Sequence, residues 1–235
     1  MQVSALSDVG RIRKENEDRY LISAAKGLFA VADGMGGHAG GQIASSIAVR
    51  TLEEEIPARP FDADPAELLE NALLKANQLI LERGKEEEYY GMGTTVTTAF
   101  IIDKTLHIAH IGDSRAYLLR RKDLSLLTQD HSLVNELFQQ GSLTAQEALN
   151  HPQRNILTRA LGTQSAPQLD VFSCPLLPGD FLLLCTDGLY NMITDVEIQQ
   201  ELLTTGTLDD KVGVMVRLAL ERGGNDNVTV LLIQV

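Results

Sequence analysis

Residues 28–34 read LFAVADG, an apolar run of five residues that leads directly into Asp33 and Gly34. The same order returns at residues 181–188, FLLLCTDG, and a third apolar run at 228–233 follows Asp226. Runs that are apolar at nearly every position, without alternation, are typical of strands buried on both faces. These segments therefore predict buried strands with aspartates at their ends.

Further strand-like runs occur at residues 2–7, 19–23, 94–102, 106–111 and 115–120. Helices are predicted at 41–55 and 208–221, and after capping signals at Asp64, Thr144 and Thr194. Strand and helix do not alternate regularly, which disfavours a doubly wound parallel sheet. The pattern predicts one domain, residues 1–235, with mostly antiparallel sheet and helices packed outside. Residues 131–161 interrupt the strands, and such a long insertion is usually functional.

Composition excludes several classes of protein. The chain has 235 residues, 44% of them hydrophobic, which is typical of a globular protein. Its 32 acidic and 20 basic residues give a net charge of −12, which disfavours nucleic-acid binding. No apolar run is long enough to span a bilayer, so no membrane partner is expected. With no signal-peptide pattern and only two cysteines, a reducing, cytoplasmic location is predicted.

Four aspartates follow or precede apolar runs: Asp33, Asp113, Asp187 and Asp226. One Asp-Gly pair after a strand is most often only a turn. Four such carboxylates brought together would repel one another unless hard cations such as Mg²⁺ or Mn²⁺ lay between them. Two such ions would lower the pKa of a bridging water for attack on a phosphoryl group. The charged segment 10–18 contains arginines that could bind the phosphate. The alternative is that this segment is only a solvated run of charged residues.

Other nucleotide and phosphate motifs fit poorly. Residues 34–39, GMGGHA, match a dinucleotide fingerprint with Glu53 at the expected distance, but Glu53 ends a predicted helix rather than a second strand. No Gly-Lys-Ser/Thr P-loop occurs, and neither Cys174 nor Cys185 lies in a C-x₅-R loop. These observations disfavour dehydrogenases, kinases and cysteine phosphatases.

About nine short blocks, in order along the whole chain, resemble the metal-dependent serine/threonine protein phosphatases of type 2C (PPM) in their compact bacterial form. The blocks are Gly10, Arg13, residues 16–18, 31–38, 93–95, 112–115, 130–132, 187–188 and 226–229. The resemblance implies an α+β fold in which two antiparallel β-sheets form a central sandwich flanked by α-helices, a four-layer αββα arrangement. It identifies residues 131–161 as a flap beside the active site.

The resemblance also implies a metal site for two Mn²⁺ or Mg²⁺ ions. Asp33 would bridge both ions, and Gly34 would bind one of them through its carbonyl. Asp187 and Asp226 would bind the other ion, and Asp113 a third, weaker one.

The remaining roles implied by the resemblance concern water, phosphate and protons. Asp18 and Glu17 would hold the waters around the ions. Arg13 would bind the phosphate, and His38 would protonate the leaving oxygen as general acid.

The expected function is therefore hydrolysis of phosphoserine and phosphothreonine in proteins, by attack of a metal-bridging water and without a phosphoenzyme. Expected partners are phosphorylated proteins and an opposing serine/threonine kinase, and the chain is expected to be a monomer. Two alternatives stay open: a catalytically silent regulatory or binding module of the same fold, and a hydrolase of small phosphate esters.

Overall fold

The computed structural model describes residues 1–36, 39–58 and 63–235. The strands are β1 (Gln2–Asp8), β2 (Arg19–Ser23), β3 (Leu28–Ala32), β4 (Gly34–Met35), β5 (Gly93–Thr94), β6 (Val96–Ile102), β7 (Thr105–Ile111), β8 (Arg115–Arg120), β9 (Asp123–Leu126), β10 (Asp170–Pro175), β11 (Phe181–Cys185) and β12 (Val228–Gln234). The helices are α1 (Gly40–Glu55), α2 (Pro65–Arg83), α3 (Leu133–Gln139), α4 (Ala145–Leu149), α5 (Asp187–Tyr190), α6 (Asp195–Leu203) and α7 (Leu208–Glu221).

Two five-stranded sheets form the centre of the molecule. One has the order β1-β12-β11-β8-β9 and the other the order β10-β7-β6-β3-β2. Every neighbouring pair in both sheets is antiparallel. The predicted antiparallel sandwich is confirmed, with a short ribbon of β4 and β5 in addition.

Three apolar layers explain the continuous apolar runs. Along β3, Leu28, Ala30 and Ala32 face the layer beneath α1 and α2, whereas Phe29 and Val31 face the layer between the sheets. Strand β12 divides in the same way, between the layer beneath α6 and α7 and the central layer. A strand covered on both faces needs apolar residues at even and odd positions.

The helices cover the two outer faces, which confirms the four-layer αββα prediction. Helices α1 and α2 pack on one sheet, and α6 and α7 on the other. The capping residues Asp64, Thr144 and Thr194 begin α2, α4 and α6, as predicted, and the last two form capping boxes. No helix among the described residues is long and apolar enough to cross a membrane.

The structure differs from the predicted elements at several places. The run predicted as one strand at 94–102 divides at Thr95 into β5 and β6, because Gly93 and Thr94 pair with β4 instead. Strand β10 was not predicted and pairs with β7 at the edge of its sheet. The flap contains α3 and α4, and its two ends meet in a bridge between Ser132 and Leu157.

Candidate active site

Four aspartates lie around one cleft at the end of the sandwich. Asp33 follows β3, Asp113 lies in the turn between β7 and β8, Asp187 begins α5 after β11, and Asp226 precedes β12. Because β11 runs antiparallel to both β8 and β12, the end of β11 lies beside the starts of those strands. All four residues line a cleft of about 200 Å³. The structure thus brings the four predicted carboxylates together.

Close backbone packing, rather than a turn, explains both Asp-Gly pairs. A Cβ atom on Gly34 would lie 2.1 Å from the carbonyl oxygen of Gly41, and one on Gly188 would lie 2.0 Å from that of Asn227. Neither glycine has a positive φ. The missing side chains let the backbone after each aspartate approach a neighbouring segment, which fixes the carboxylate in the cleft.

Burial and mutual repulsion raise the pKa values of three of these carboxyls, those of Asp33, Asp113 and Asp187. Burial, followed by the charge of Asp187, raises the pKa of Asp113 to about 8. Burial, followed by Asp226, raises the pKa of Asp187 to about 6. Burial and then Asp18 raise the pKa of Asp33 well above its ordinary value. The cleft therefore favours protons or cations over bare negative charge.

Asp18 lies beneath the cleft and joins three segments. Its Oδ2 accepts hydrogen bonds from the hydroxyls of Thr186 (2.8 Å) and Thr229 (2.7 Å), and burial raises its pKa to about 7. Glu17, next to it, lines the cleft itself, and its backbone N–H donates to Asn227 Oδ1. Asp18 is therefore buried next to the cleft, whereas Glu17 lines the cleft together with the four aspartates.

Two unpartnered oxygens indicate what the cleft accommodates. Among the described residues, Asp18 Oδ1 and Asp187 Oδ1 are buried and have no hydrogen-bond donor. Within the same described part of the chain, no three acidic, histidine or cysteine side chains are close enough to enclose one ion by themselves. Mg²⁺ usually keeps several water ligands and needs only one or two carboxylates from the protein. Unpartnered carboxylate oxygens that do not enclose an ion by themselves therefore suit such a cation. The donor set fits Mg²⁺ or Mn²⁺.

Arg13 lies at the rim of the cleft and contacts a carboxylate. Its Nη2 donates to Asp226 Oδ2 at 2.8 Å, and about half of the Arg13 side chain is exposed. The guanidinium has further N–H groups for a phosphate. His38 lies outside the described residues.

Three neighbours of the aspartates were not predicted from the sequence. Asn191 Nδ2 donates to Asp187 Oδ2 at 3.1 Å, and the Tyr190 hydroxyl donates to the Asp113 carbonyl at 3.0 Å. Asn155, from the flap, lines the cleft. Spacing alone could have identified Asn191, which follows Asp187 by four residues and caps the end of α5, but no local signal marks Asn155.

Arg115 supports this side of the site through contacts with three neighbouring side chains. The Arg115 guanidinium lies 3.7 Å from the ring centre of Tyr190 and binds Asp130 through Nε (3.0 Å) and Nη2 (2.7 Å). It also donates to the Tyr117 hydroxyl. Arg115 therefore links β8, α5 and the residue that precedes the flap.

Comparisons with known proteins point to one family. The model of the family described as protein phosphatase 2C matches residues 13–217. The protein phosphatase PhpP of Streptococcus pneumoniae is 43% identical over 238 residues, which cover 99% of this chain and 97% of that protein. The structure of the S. agalactiae serine/threonine phosphatase superposes with a TM-score of 0.93 at 39% identity and covers 100% of this chain and 99% of that one. The catalytic domain of the phosphatase PstP, solved with two manganese ions, has a TM-score of 0.89 at 34% identity and covers 98% and 96%.

Proposed function

Because this chain belongs to the protein phosphatase 2C family, a family of metal-dependent serine/threonine phosphatases, we propose that the aspartate cleft is its catalytic site. The chain hydrolyses phosphoserine and phosphothreonine, and its substrates are phosphoproteins. The observation that supports this location is the convergence of Asp33, Asp113, Asp187 and Asp226 in one cleft. Burial raises the pKa values of the first three of these carboxyls.

The residues that would hold divalent cations are those around the cleft. Asp33, Asp187 and Asp226, with the Gly34 carbonyl, would bind two Mn²⁺ or Mg²⁺ ions, and Asp113 a third, weaker one. Bound ions would supply Lewis acidity and lower the pKa of a coordinated water. Carboxyl ligands must be deprotonated for this binding, so the raised pKa values of Asp33, Asp113 and Asp187 couple ion binding to proton release.

The other residues bind and orient the substrate. Arg13 would donate two parallel hydrogen bonds to phosphoryl oxygens, which stabilises charge as the ester bond breaks. Asp18, fixed by Thr186 and Thr229, and Glu17 would accept hydrogen bonds from water in the cleft. We propose His38 as the general acid that protonates the leaving serine or threonine oxygen.

The proposal includes partners and location. A serine/threonine kinase must supply the phosphorylated substrates, because hydrolysis consumes a bond that only phosphoryl transfer makes. We propose that the chain acts as a monomer in the cytoplasm, and size-exclusion chromatography coupled to light scattering measures its oligomeric state.

The test is phosphate release from a phosphothreonine peptide in the presence of Mn²⁺, with a chelator as the reference. Asp226→Asn should abolish release and weaken Mn²⁺ binding measured by calorimetry, because it removes a negatively charged oxygen ligand. Asp209→Asn, exposed on α7, is the matched control and should behave as wild type. Mn²⁺ binding without any phosphate release would favour the silent-module alternative.

A further inference from the structure

A second cavity, larger than the cleft, lies beside it beneath the flap. It has a volume of about 510 Å³ and shares Asp113, Asn155 and Asp187 with the cleft. A peptide with its phosphorylated residue in the cleft would therefore place neighbouring residues in this cavity. The cavity is large enough for one or two side chains.

Arg154 lines this cavity from the returning segment of the flap. Two backbone hydrogen bonds attach that segment to the start of the flap: Leu133 N–H donates to the Ile156 carbonyl, and Thr158 N–H to the His131 carbonyl, both at 2.9 Å. Arg154 is therefore carried by a tethered segment, two residues before Ile156, rather than by a free loop.

Among the charged side chains that line the cavity, Arg154 is a positively charged group without a carboxylate partner in the described part of the chain. Asp130 and Arg115 neutralise each other through two parallel hydrogen bonds. Asp113 and Asp187 belong to the proposed metal site. Arg154 is exposed, and no carboxylate oxygen among the described residues lies within 4.0 Å of its guanidinium.

Apolar side chains in the same cavity would strengthen an ion pair formed by Arg154. Val134 and Phe138 of α3 and Ala148 of α4 line the same cavity. An ion pair formed next to apolar groups is screened less by water than one on an open surface. The planar guanidinium is suited to bind a carboxylate or phosphoryl group through two parallel hydrogen bonds.

We propose, on the basis of the phosphatase function above, that Arg154 selects substrates with an anionic side chain next to the phosphorylated serine or threonine. The anion is a carboxylate or a second phosphoryl group, since both present paired oxygens to a guanidinium. Arg154 would thus be a specificity residue that binds the flank of the substrate, whereas the cleft performs the hydrolysis.

The test is steady-state kinetics with Mn²⁺ on phosphothreonine peptides that differ at one flanking position. Glu, Gln, Lys or a second phosphothreonine is placed at each of the two positions on either side. We expect kcat/KM for the best Glu peptide to exceed that of its Gln counterpart about threefold to tenfold. The doubly phosphorylated peptide, which carries more charge, distinguishes a phosphoryl from a carboxylate preference.

Two variants assign this preference to the guanidinium. Arg154→Gln should bring the Glu-to-Gln ratio close to one, and Arg154→Glu should favour the Lys peptide. Arg217→Gln, an exposed arginine on α7, is the matched control and should keep the wild-type ratio. The ratio should also fall as salt concentration rises.

Four results would overturn the proposal. Equal rates on Glu and Gln peptides, or an Arg154→Gln enzyme that keeps the wild-type ratio, would show that Arg154 selects nothing while the phosphatase function stands. A wild-type preference for Lys would show that the acidic groups of the cavity determine specificity. Hydrolysis of none of the peptides would refute the phosphatase function together with the role of Arg154.

Discussion

Replacing Asp187 with Asn removes one negative charge from the cleft with almost no change in shape. Burial and the charge of Asp226 raise the pKa of Asp187 from 3.8 to about 6. A carboxyl with a raised pKa in the folded state contributes stability that is lost as pH rises through that pKa. Ionised Asp187 thus destabilises the metal-free fold above pH 6, and Asp187→Asn should stabilise it there.

The size of this stabilisation follows from the pKa shift. A shift of roughly two pH units corresponds to about 3 kcal/mol as an upper bound. Asp187 keeps some contact with solvent, which screens its charge, so we expect about 1–2 kcal/mol at pH 8. For a chain of this length, that corresponds to a rise in Tm of about 2–8 °C.

Calorimetric unfolding in a chelator at pH 5 and pH 8, with and without Mn²⁺, measures this effect. The advantage of Asp187→Asn should be smaller at pH 5, where the folded wild type is largely protonated at Asp187. Added Mn²⁺ should raise the Tm of wild type more than that of the variant, because an ion bound only by the folded state stabilises it. Asp123→Asn, exposed on β9, is the control. A variant that is less stable than wild type in chelator at pH 8, or that gains as much from Mn²⁺, would refute the reasoning.

Three further predictions concern the same site. Gly188→Ala should lower the free energy of unfolding by about 2–3 kcal/mol, because its Cβ would overlap the Asn227 carbonyl, and it should lower kcat/KM at least about tenfold. The control is Gly213→Ala on α7, where the space around the glycine is open. This variant should raise the free energy of unfolding by about 0.5–1 kcal/mol, and denaturant titrations measure both values. Arg13→Ala should raise KM for a phosphopeptide more than it lowers kcat, and an unchanged KM would contradict its binding of phosphate. His38→Ala should slow hydrolysis of alkyl phosphates but not of aryl phosphates with good leaving groups, and equal rates on alkyl phosphates would exclude the general-acid role.

The buried strands were predictable because each of them leaves a continuous apolar run in the local sequence. Each of β3, β11 and β12 is covered on both faces, so nearly every residue is apolar and the run is visible in the sequence. Strand β10 was missed because it lies at an edge and includes Asp170, Ser173 and Pro175, which interrupt any apolar pattern. Its pairing with β7 is a tertiary contact that the local sequence does not encode.

The positions of the aspartates were predictable, but their surroundings were not. Strand ends identify Asp33 and Asp187, because antiparallel neighbours bring such ends to one edge of the sandwich. A single Asp-Gly pair is typical of a turn, but Gly34 and Gly188 permit close backbone contact instead. Gly41 lies seven residues after Gly34, and Asn227 lies 39 residues after Gly188, so neither contact is visible in the residues next to the aspartate.

The Arg13–Asp226 contact indicates how ion binding and phosphate binding would be linked. About half of Arg13 and a third of Asp226 are exposed, so their pair contributes at most about 1 kcal/mol. A divalent ion bound by Asp226 would therefore weaken this contact at small cost. The Arg13 guanidinium would then have more of its N–H groups available to a phosphoryl group. The repulsion that destabilises the metal-free cleft would thus favour ion binding, and ion binding would release the arginine that the substrate needs.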